Sequence, residues 1–117
     1  MSEGAKPPTI ETLRARREEI LRIAAAYGAS NVRIIGSVAR GEADEKSDLD
    51  LLVDMADGER GGFQYFGRLE DLRRGLEALL ACSVDVMDSG ALRQFSPNEL
   101  RSKAQMRKRV LRDAVPL

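Results

Sequence analysis

Apolar residues recur at helical spacing in two long stretches of the chain. The first stretch predicts a helix over residues 10–27, which Gly28 would stop. The second predicts a helix over residues 63–80, with an apolar face of Phe66, Leu69, Leu72, Leu76, Leu79 and Leu80. Residues 96–99 form a capping box with proline at the first helical position, and this predicts a third helix that ends near Asp113.

Three other segments carry the pattern of β-strands. Residues 32–35 form a β-branched run, and residues 84–87 form another short apolar run around an aspartate. In residues 48–54, leucine and valine alternate with aspartate, which predicts a strand with an apolar side and an acidic start. Residues 36–46 are rich in glycine, serine and charge and predict a loop or a short turn of helix. Residues 114–117 predict a last short strand or a tail.

Length and composition indicate one small α/β domain, residues 1–117, with residues 1–8 as a flexible polar leader. Neither a signal peptide nor an apolar stretch near the roughly 20 residues of a membrane span is present, so we expect a cytoplasmic protein that does not contact a membrane. Lys and Arg number 19, as do Asp and Glu, and this balance argues against a nonspecific nucleic-acid coat. Histidine is absent, so any metal must be held by oxygen ligands.

Charge is unevenly distributed along the chain. Residues 42–54 contain six acids and one lysine, whereas residues 101–112 contain six bases and no acid. The basic stretch lies on the third predicted helix, where it could contact an acidic partner or RNA, or simply face solvent. The acidic stretch lies where two predicted strands are joined, and it contains the residues with the clearest chemistry.

A glycine-serine pair, Gly36-Ser37, directly follows the first predicted strand. Glycine permits a sharp backbone turn and close approach of a ligand, and the turn can present N–H groups and a hydroxyl to an anion such as a nucleotide phosphate. Asp48 and Asp50 follow ten residues later. In a strand, residues i and i+2 point to the same side with Cα atoms about 6.6 Å apart, so their carboxylates can converge on divalent cations.

A third aspartate, Asp85, interrupts the last apolar strand. Burying an unpaired carboxylate is costly, so either this side of the strand faces solvent or the charge has a partner. If this strand lies beside that of Asp48 and Asp50, the three acids form one cluster. Each part alone also fits a simpler interpretation: an ordinary turn, two solvated carboxylates at a strand entrance, and an exposed position on an edge strand.

Taken together, these elements resemble a known family. Gly36-Ser37, ten residues and then Asp48-x-Asp50 match the signature of the minimal nucleotidyltransferases, the MNT group of the DNA polymerase beta-like nucleotidyltransferase superfamily. The string GSVARGEADEKSDLDLLV, the later SVDVMD and the ending AVPL are similar to that group, over residues 10–117. The resemblance implies the minimal nucleotidyltransferase fold, a small mixed β-sheet packed against helices.

The resemblance also implies roles for individual residues. Gly36 and Ser37 would bind the phosphates of ATP, and Asp48 and Asp50 would bind Mg²⁺, with Asp85 as a third ligand or as the base. Arg40 would lie near the triphosphate, or would be an ordinary solvent-facing arginine. The chemistry implied is transfer of a nucleoside monophosphate to an acceptor with release of pyrophosphate. Asp54 and Asp88 lie outside the motif, and we interpret them as surface residues.

Family members pair with a helical HEPN-domain RNase toxin, and the resemblance implies that this chain is the antitoxin, forming a hetero-oligomer and transferring AMP to a tyrosine hydroxyl of the toxin. Phe63, Tyr65 and Phe66 cluster near a helix start and could form the shared interface, although we expect Phe66 to pack in the core. Two alternatives stay open: a non-catalytic antitoxin that neutralises its partner by contact, and a nucleotidyltransferase subunit that acts on a small molecule. The zero net charge makes nucleic acid a less attractive direct substrate.

Overall fold

Helices and strands alternate along the residues that the computed structural model describes, which are 8–56, 62–90, 108 and 110–117. In chain order they are α1 (Ile10–Ala15), α2 (Arg17–Ala26), β1 (Ala29–Ile35), α3 (Gly36–Arg40), β2 (Leu49–Met55), α4 (Phe63–Leu80), β3 (Val84–Asp88) and β4 (Val115–Pro116). Residues 110–113 are also helical. The predicted short turn of helix after the first strand and the predicted last strand are both confirmed.

The four strands form one mixed sheet in the order β3-β2-β1-β4. β1 pairs antiparallel with β2 and with β4, whereas β2 and β3 run parallel. The carboxyl end of β1 therefore meets the amino ends of β2 and β3 at the same edge of the sheet. Every candidate residue from the sequence motif lies at or near this edge.

One face of the sheet carries the main hydrophobic core. Buried leucine, isoleucine and valine side chains of β1, β2 and β3 pack there against α1, α2 and α4, and the largest fully buried members are Leu13, Ile20, Ile34, Leu49, Leu51, Leu72 and Leu76. The apolar face predicted for residues 63–80 is the one that supplies Leu72 and Leu76, and the bounds predicted for that helix are confirmed. Burial of such side chains contributes about 1.5–3 kcal/mol each, before the entropy of ordering them is subtracted.

The opposite face has a smaller apolar cluster. Ile35 and Leu52 are buried there, and Met87, Val110 and Ala114 pack against them. The last two belong to the C-terminal part of the chain, which pairs as β4 with β1. This second face also carries Asp50 and Asp54, on either side of Leu52, and Asp50 lies at the edge where β1 ends.

The first predicted helix is interrupted at Arg16, so the prediction of one continuous helix is wrong. The backbone of Arg16 leaves the helical region, with φ −111° and ψ 23°. Its guanidinium donates a hydrogen bond of 2.7 Å to the carbonyl oxygen of Leu79 near the end of α4. The break thus joins the amino-terminal helices to α4, and neither glycine nor proline marks it in the sequence.

β1 begins three residues earlier than predicted. Ala29 and Ser30 pair with Met55 and Asp54, and the register then shifts by one residue before Arg33 pairs with Leu52. Asn31 lies in this irregular stretch with φ 51°. A bulge of this kind accommodates an extra residue in one strand, and Ala, Ser and Asn have low strand propensity, so the pattern of apolar residues does not reveal it.

Two interpretations of individual side chains are wrong. Asp88 is buried, with 6% of its surface exposed, and it accepts hydrogen bonds from the Tyr65 hydroxyl at 2.7 Å and from the Gly90 and Met55 N–H groups at 3.1 and 3.3 Å. Phe66, expected in the core, is 65% exposed, and Tyr65 is buried in its place. Helical rotation of 100° per residue points the two neighbouring side chains in different directions from α4, although their rings still meet edge to face with centroids 5.0 Å apart.

The predicted third helix begins at residues 96–99, which lie outside the described residues, as do residues 1–7 and the predicted turn at 57–61. Its predicted end near Asp113 agrees with the helical residues 110–113. Within the described ranges, no helix combines the length and the apolar character that crossing a membrane requires.

Candidate active site

Two of the motif aspartates are direct neighbours in the sheet. Asp50, in β2, is paired with Asp85, in β3, in the parallel register. Paired residues of adjacent strands point to the same face, so both carboxyls lie on the face opposite the main core. Asp48 comes just before β2 and, by the alternation of the strand, belongs to the same side as Asp50. The structure thus places Asp50 and Asp85 side by side, with Asp48 two residues before Asp50.

The electrostatics of Asp50 reflect this crowding. Burial raises the pKa of Asp50 above its ordinary value, and the negative charges of Asp85 and Asp48 raise it further. The positive charge of Arg40 lowers it in part. Among the described residues, no side chain donates a hydrogen bond to any of the three carboxyls. The ionised cluster is therefore costly in the chain alone and would be stabilised by a cation.

Gly36 lies against this cluster at the end of β1. Ile35 pairs with Asp50, and Gly36 then turns the chain with φ 75° into α3. A Cβ atom at position 36 would lie 2.5 Å from Oδ2 of Asp50, closer than real Cβ contacts allow. The backbone conformation thus favours glycine here, and any side chain would also displace the carboxyl of Asp50. Ser37 follows as the second residue of α3 and is partly exposed.

A cavity of about 260 Å³ opens beside these residues. Its wall contains Gly36, Asp50 and Asp85 at one end and an apolar surface at the other, and the full lining is Ile35, Gly36, Arg40, Asp50, Leu51, Asp85, Met87, Val110 and Asp113. Ser37 and Asp48 lie next to this lining in the chain but are not part of it. A concave site with convergent polar groups and an apolar wall is the usual form of a small-ligand site.

The side chain of Arg40 is 40% exposed and contacts two carboxylates. Its Nε donates to Oε1 of Glu42 at 2.9 Å, and its Nη1 lies 3.6 Å from Oδ2 of Asp113. Asp113 comes from the C-terminal part of the chain, more than seventy residues away in sequence. Sequence reasoning missed Asp113 as a site residue, because no motif surrounds it and its place depends on the pairing of β4.

The donor chemistry of the site fits a hard divalent cation. Carboxylate oxygens are preferred ligands of Mg²⁺, and the uncompensated charge around Asp50 favours one. In residues 8–56, 62–90 and 110–117, however, no three acidic side chains stand close enough together to hold an ion between them. Asp48 and Asp85 are exposed, so their side chains have room to rotate toward Asp50. The residues fit the metal, provided that they reorient.

The fold and the site define a class of protein. A mixed sheet that sets a glycine turn beside aspartates on two adjacent strands is the arrangement of nucleotidyltransferases. The model of the nucleotidyltransferase domain family matches residues 17–116. The chain belongs to this family and is an enzyme of the nucleotidyltransferase type. Such enzymes generally use Mg²⁺ and a nucleoside triphosphate.

Individual proteins support this assignment. The protein adenylyltransferase MntA of Thermococcus cleftensis is 36% identical over 89 residues, which are 76% of this chain and 75% of that protein. A candidate protein adenylyltransferase of Methanocaldococcus jannaschii is 39% identical over 67 residues, or 57% of this chain, and the match spans 63% of that relative's length. A solved structure of a candidate minimal nucleotidyltransferase is 42% identical with a TM-score of 0.70, covering 97% of this chain and all of that one. The predicted family and the predicted α/β fold are thereby confirmed.

Proposed function

We propose that this chain transfers AMP from ATP to a hydroxyl group of a partner protein. The observation that carries the proposal is the pairing of Asp50 with Asp85 beside the Gly36 turn, in a cavity that Arg40 also lines. This arrangement offers carboxylates for a cation and a cationic side chain for a phosphate. The names of the relatives from T. cleftensis and M. jannaschii support a protein as the acceptor.

Each motif residue has a role in this proposal. Asp48, Asp50 and Asp85 hold Mg²⁺, which when bound offsets the charge of the triphosphate and of the departing pyrophosphate. Gly36, without a side chain, lets a phosphate approach the backbone, and the Ser37 hydroxyl donates to a phosphate oxygen. These residues position the reactants and stabilise charge, which supplies most of the catalysis in phosphoryl-type transfers.

The transfer itself is a single displacement at the α-phosphorus. The acceptor oxygen forms a bond to this phosphorus while the bond to the pyrophosphate oxygen breaks. Asp85 is exposed at the start of β3 and is the carboxylate best placed to take the proton of the acceptor hydroxyl. The products are an AMP ester of the acceptor and pyrophosphate.

The partner that we propose is a HEPN-domain RNase toxin, which modification of a tyrosine would silence. The chain then acts as the antitoxin. Phe63 and Phe66 at the start of α4 are 97% and 65% exposed, and such exposed rings are suited to a protein contact. The acceptor hydroxyl would arrive on the partner's own surface.

A labelling experiment tests the proposal. The chain is incubated with a HEPN-domain partner, Mg²⁺ and ATP labelled at the α-phosphate, and transfer to the partner is measured. We expect the Asp48→Asn/Asp50→Asn double variant to lose labelling, whereas Glu45→Gln, which removes an exposed charge from the same acidic stretch, keeps it. Labelling that persists in the double variant would exclude the metal role of the two aspartates.

The same variants separate the remaining alternatives. If the double variant still protects cells from the toxin, neutralisation occurs by contact and the proposed chemistry is wrong. If the unaltered chain leaves the partner unlabelled, mass analysis with candidate small hydroxyl compounds and ATP identifies a small-molecule acceptor. Replacing the partner's candidate tyrosine with phenylalanine tests the acceptor side, because that variant retains the ring but has no hydroxyl to modify.

A further inference from the structure

Arg40 lies between two carboxylates that hold its guanidinium from different directions. Glu42, two residues along the chain, contacts Nε, and Asp113 contacts Nη1. Both carboxylates raise the pKa of Arg40, with the Glu42 hydrogen bond making the largest contribution. Of the two acids, Asp113 also lines the cavity with Asp50 and Asp85. The contact with Asp113 is therefore the one that faces the site.

The sheet determines where Asp113 lies. Val115 pairs with Ile34 in the antiparallel β4–β1 register. Asp113, two residues before Val115, therefore lies opposite Gly36, two residues after Ile34. The chain consequently enters β4 beside Gly36. The pairing is secured by hydrogen bonds from the Leu117 N–H to the Val32 carbonyl and from the Arg14 guanidinium to the Pro116 carbonyl.

Asp113 also contacts a second arginine, which differs from Arg40 in exposure and position. Arg112 lies 3.4 Å from Oδ1 of Asp113, but its side chain is 75% exposed and it does not line the cavity. The side chain of Asp113 is 17% exposed. An acid this enclosed that served stability alone would not need to share a cavity with the motif aspartates. Its position favours a role at the site.

We propose that Asp113 is a positioning residue that holds the Arg40 guanidinium against the cavity, where it binds an anionic phosphate of the nucleoside triphosphate. This inference rests on the proposed function, because it takes the triphosphate as the ligand. The weak pairing at 3.6 Å suits the role, since Arg40 can retain it loosely while its remaining N–H groups bind phosphate oxygens.

The direction in which ATP affinity changes when Asp113 loses its charge distinguishes a positioning role from simple electrostatic repulsion. An Asp113 carboxylate beside a triphosphate repels it, so removing the charge without any positioning role would tighten ATP binding. If Asp113 positions Arg40, removing the carboxylate leaves the guanidinium held by Glu42 alone, so it can turn away from the cavity and ATP binding weakens. The two accounts therefore predict opposite changes in the same dissociation constant.

The test is equilibrium binding of ATP and of adenosine to the full chain, in EDTA and again with Mg²⁺. We expect Asp113→Asn to weaken ATP binding several-fold and to leave adenosine binding unchanged, because adenosine has no phosphate. Glu45→Gln, which also removes one carboxylate charge but at an exposed position outside the cavity lining, is the matched control and should bind ATP as the unaltered chain does. In an Arg40→Ala background, Asp113→Asn should cause no further loss, because the residue that it positions is gone.

Unchanged or tighter ATP binding by Asp113→Asn would overturn the inference, as would equal weakening for ATP and adenosine. If Asp113→Asn does not fold, Asp113→Glu replaces it, and partial retention of ATP affinity is the expected result; affinity equal to that of Arg40→Ala would contradict the positioning role. Failure of the unaltered chain to bind ATP would instead overturn the proposed function. Labelling activity with unaltered ATP affinity in Asp113→Asn would leave that function standing and remove this inference alone.

Discussion

Gly36 and Gly41 have nearly the same positive φ angle in different surroundings. Their φ angles are 75° and 72°, so a side chain at either position is strained, at a cost of about 1–2 kcal/mol. Beyond that shared cost, a Cβ at Gly36 meets the carboxyl of Asp50, whereas a Cβ at Gly41 meets no described atom within 4 Å. The two glycines therefore separate backbone strain from displacement of a site carboxylate.

We expect Gly36→Ala to abolish most AMP transfer and Gly41→Ala to retain it. The new methyl group must push Asp50 or the turn aside, and displacements near 1 Å in a positioned site cost about 100-fold in rate. The measurement is the initial rate of labelling, with thermal melting to confirm that both variants are folded. Similar rates for the two variants would show that the contact between Gly36 and Asp50 has no catalytic consequence.

Asp50 and Asp54 lie on the same strand and have pKa shifts of opposite sign. Burial raises the pKa of Asp50, and the negative charges of Asp85 and Asp48 raise it further. Burial also pushes the pKa of Asp54 upward, but hydrogen bonds from Ser89 and Asn31 and the guanidinium of Arg33 outweigh it and lower the pKa. The fold thus disfavours ionisation of Asp50 and stabilises the ionised form of Asp54.

These shifts predict opposite changes in stability in metal-free buffer at pH 7. A raised pKa means that the folded chain binds more protons than the unfolded one, so the free energy of unfolding falls as the pH rises between the ordinary and the raised value. Asp50→Asn removes this penalty and should raise the Tm, and its advantage should shrink as the pH is lowered through that interval.

Asp54→Asn should lower the Tm at pH 7. A lowered pKa contributes stability above the ordinary value, and this contribution is lost as the pH falls through the folded pKa. Thermal melting of both variants and the unaltered chain across the acid range checks the pair of predictions. Shifts of the same sign for Asp50→Asn and Asp54→Asn at pH 7 would contradict the assignment.

At the scale of elements, a buried polar contact helps to fix α4 to the sheet. The Tyr65 hydroxyl donates to Asp88 at the end of β3, and Asp88 also accepts from the N–H of Met55 at the end of β2. This joins the first turns of α4 to the ends of β2 and β3 that lie away from the acidic edge. The contact explains why an aspartate follows an apolar strand without facing solvent.

We expect Tyr65→Phe to lower the free energy of unfolding by about 1–3 kcal/mol, because a buried carboxyl oxygen loses its donor. Urea denaturation measures the change. Tyr27→Phe removes the same hydroxyl from a partly exposed ring and serves as the control, with an expected change within about 0.5 kcal/mol. An equal loss in both variants would show that the hydroxyl of Tyr65 is not specifically required.

The elements that could be predicted from the sequence are those with local signals. Helix α4 follows from the spacing of its leucines, and β2 from the alternation of apolar residues with aspartates. The break at Arg16 depends on a carbonyl group sixty-three residues away, and the bulge at Asn31 depends on pairing with β2. Tertiary contacts of this kind leave no mark in local periodicity.

The same distinction applies to the site. Gly36, Asp48 and Asp50 are recognisable because the chemistry requires them at a fixed spacing. Asp85 is recognisable because an unpaired carboxylate in an apolar strand is costly to bury. Asp113 reaches the cavity through the pairing of β4, and the burial of Asp88 through the hydroxyl of Tyr65. Since both depend on distant segments, the sequence alone left one unassigned and the other misplaced on the surface.

For the whole molecule, the apolar residues divide into a buried core and an exposed end of α4. Leu72 is fully buried, whereas Phe63 and Phe66 project into solvent at the helix start. We expect Leu72→Ala to cost about 2–5 kcal/mol and the Phe63→Ser/Phe66→Ser double variant less than about 1 kcal/mol, measured by urea denaturation. A large loss in the double variant would place these rings in the core.

The order of strands has a consequence for how the molecule matures during synthesis. The Gly36 turn, Asp48 and Asp50 lie within one antiparallel hairpin, and such local pairs form early because little chain has to be closed. Asp85 comes with the parallel strand β3, and Asp113 comes into place when the two-residue strand β4 pairs with β1. The cavity is complete only once Val110 and Asp113 are in place and β4 has paired with β1, so a chain cut before residue 110 would have the motif without a finished pocket.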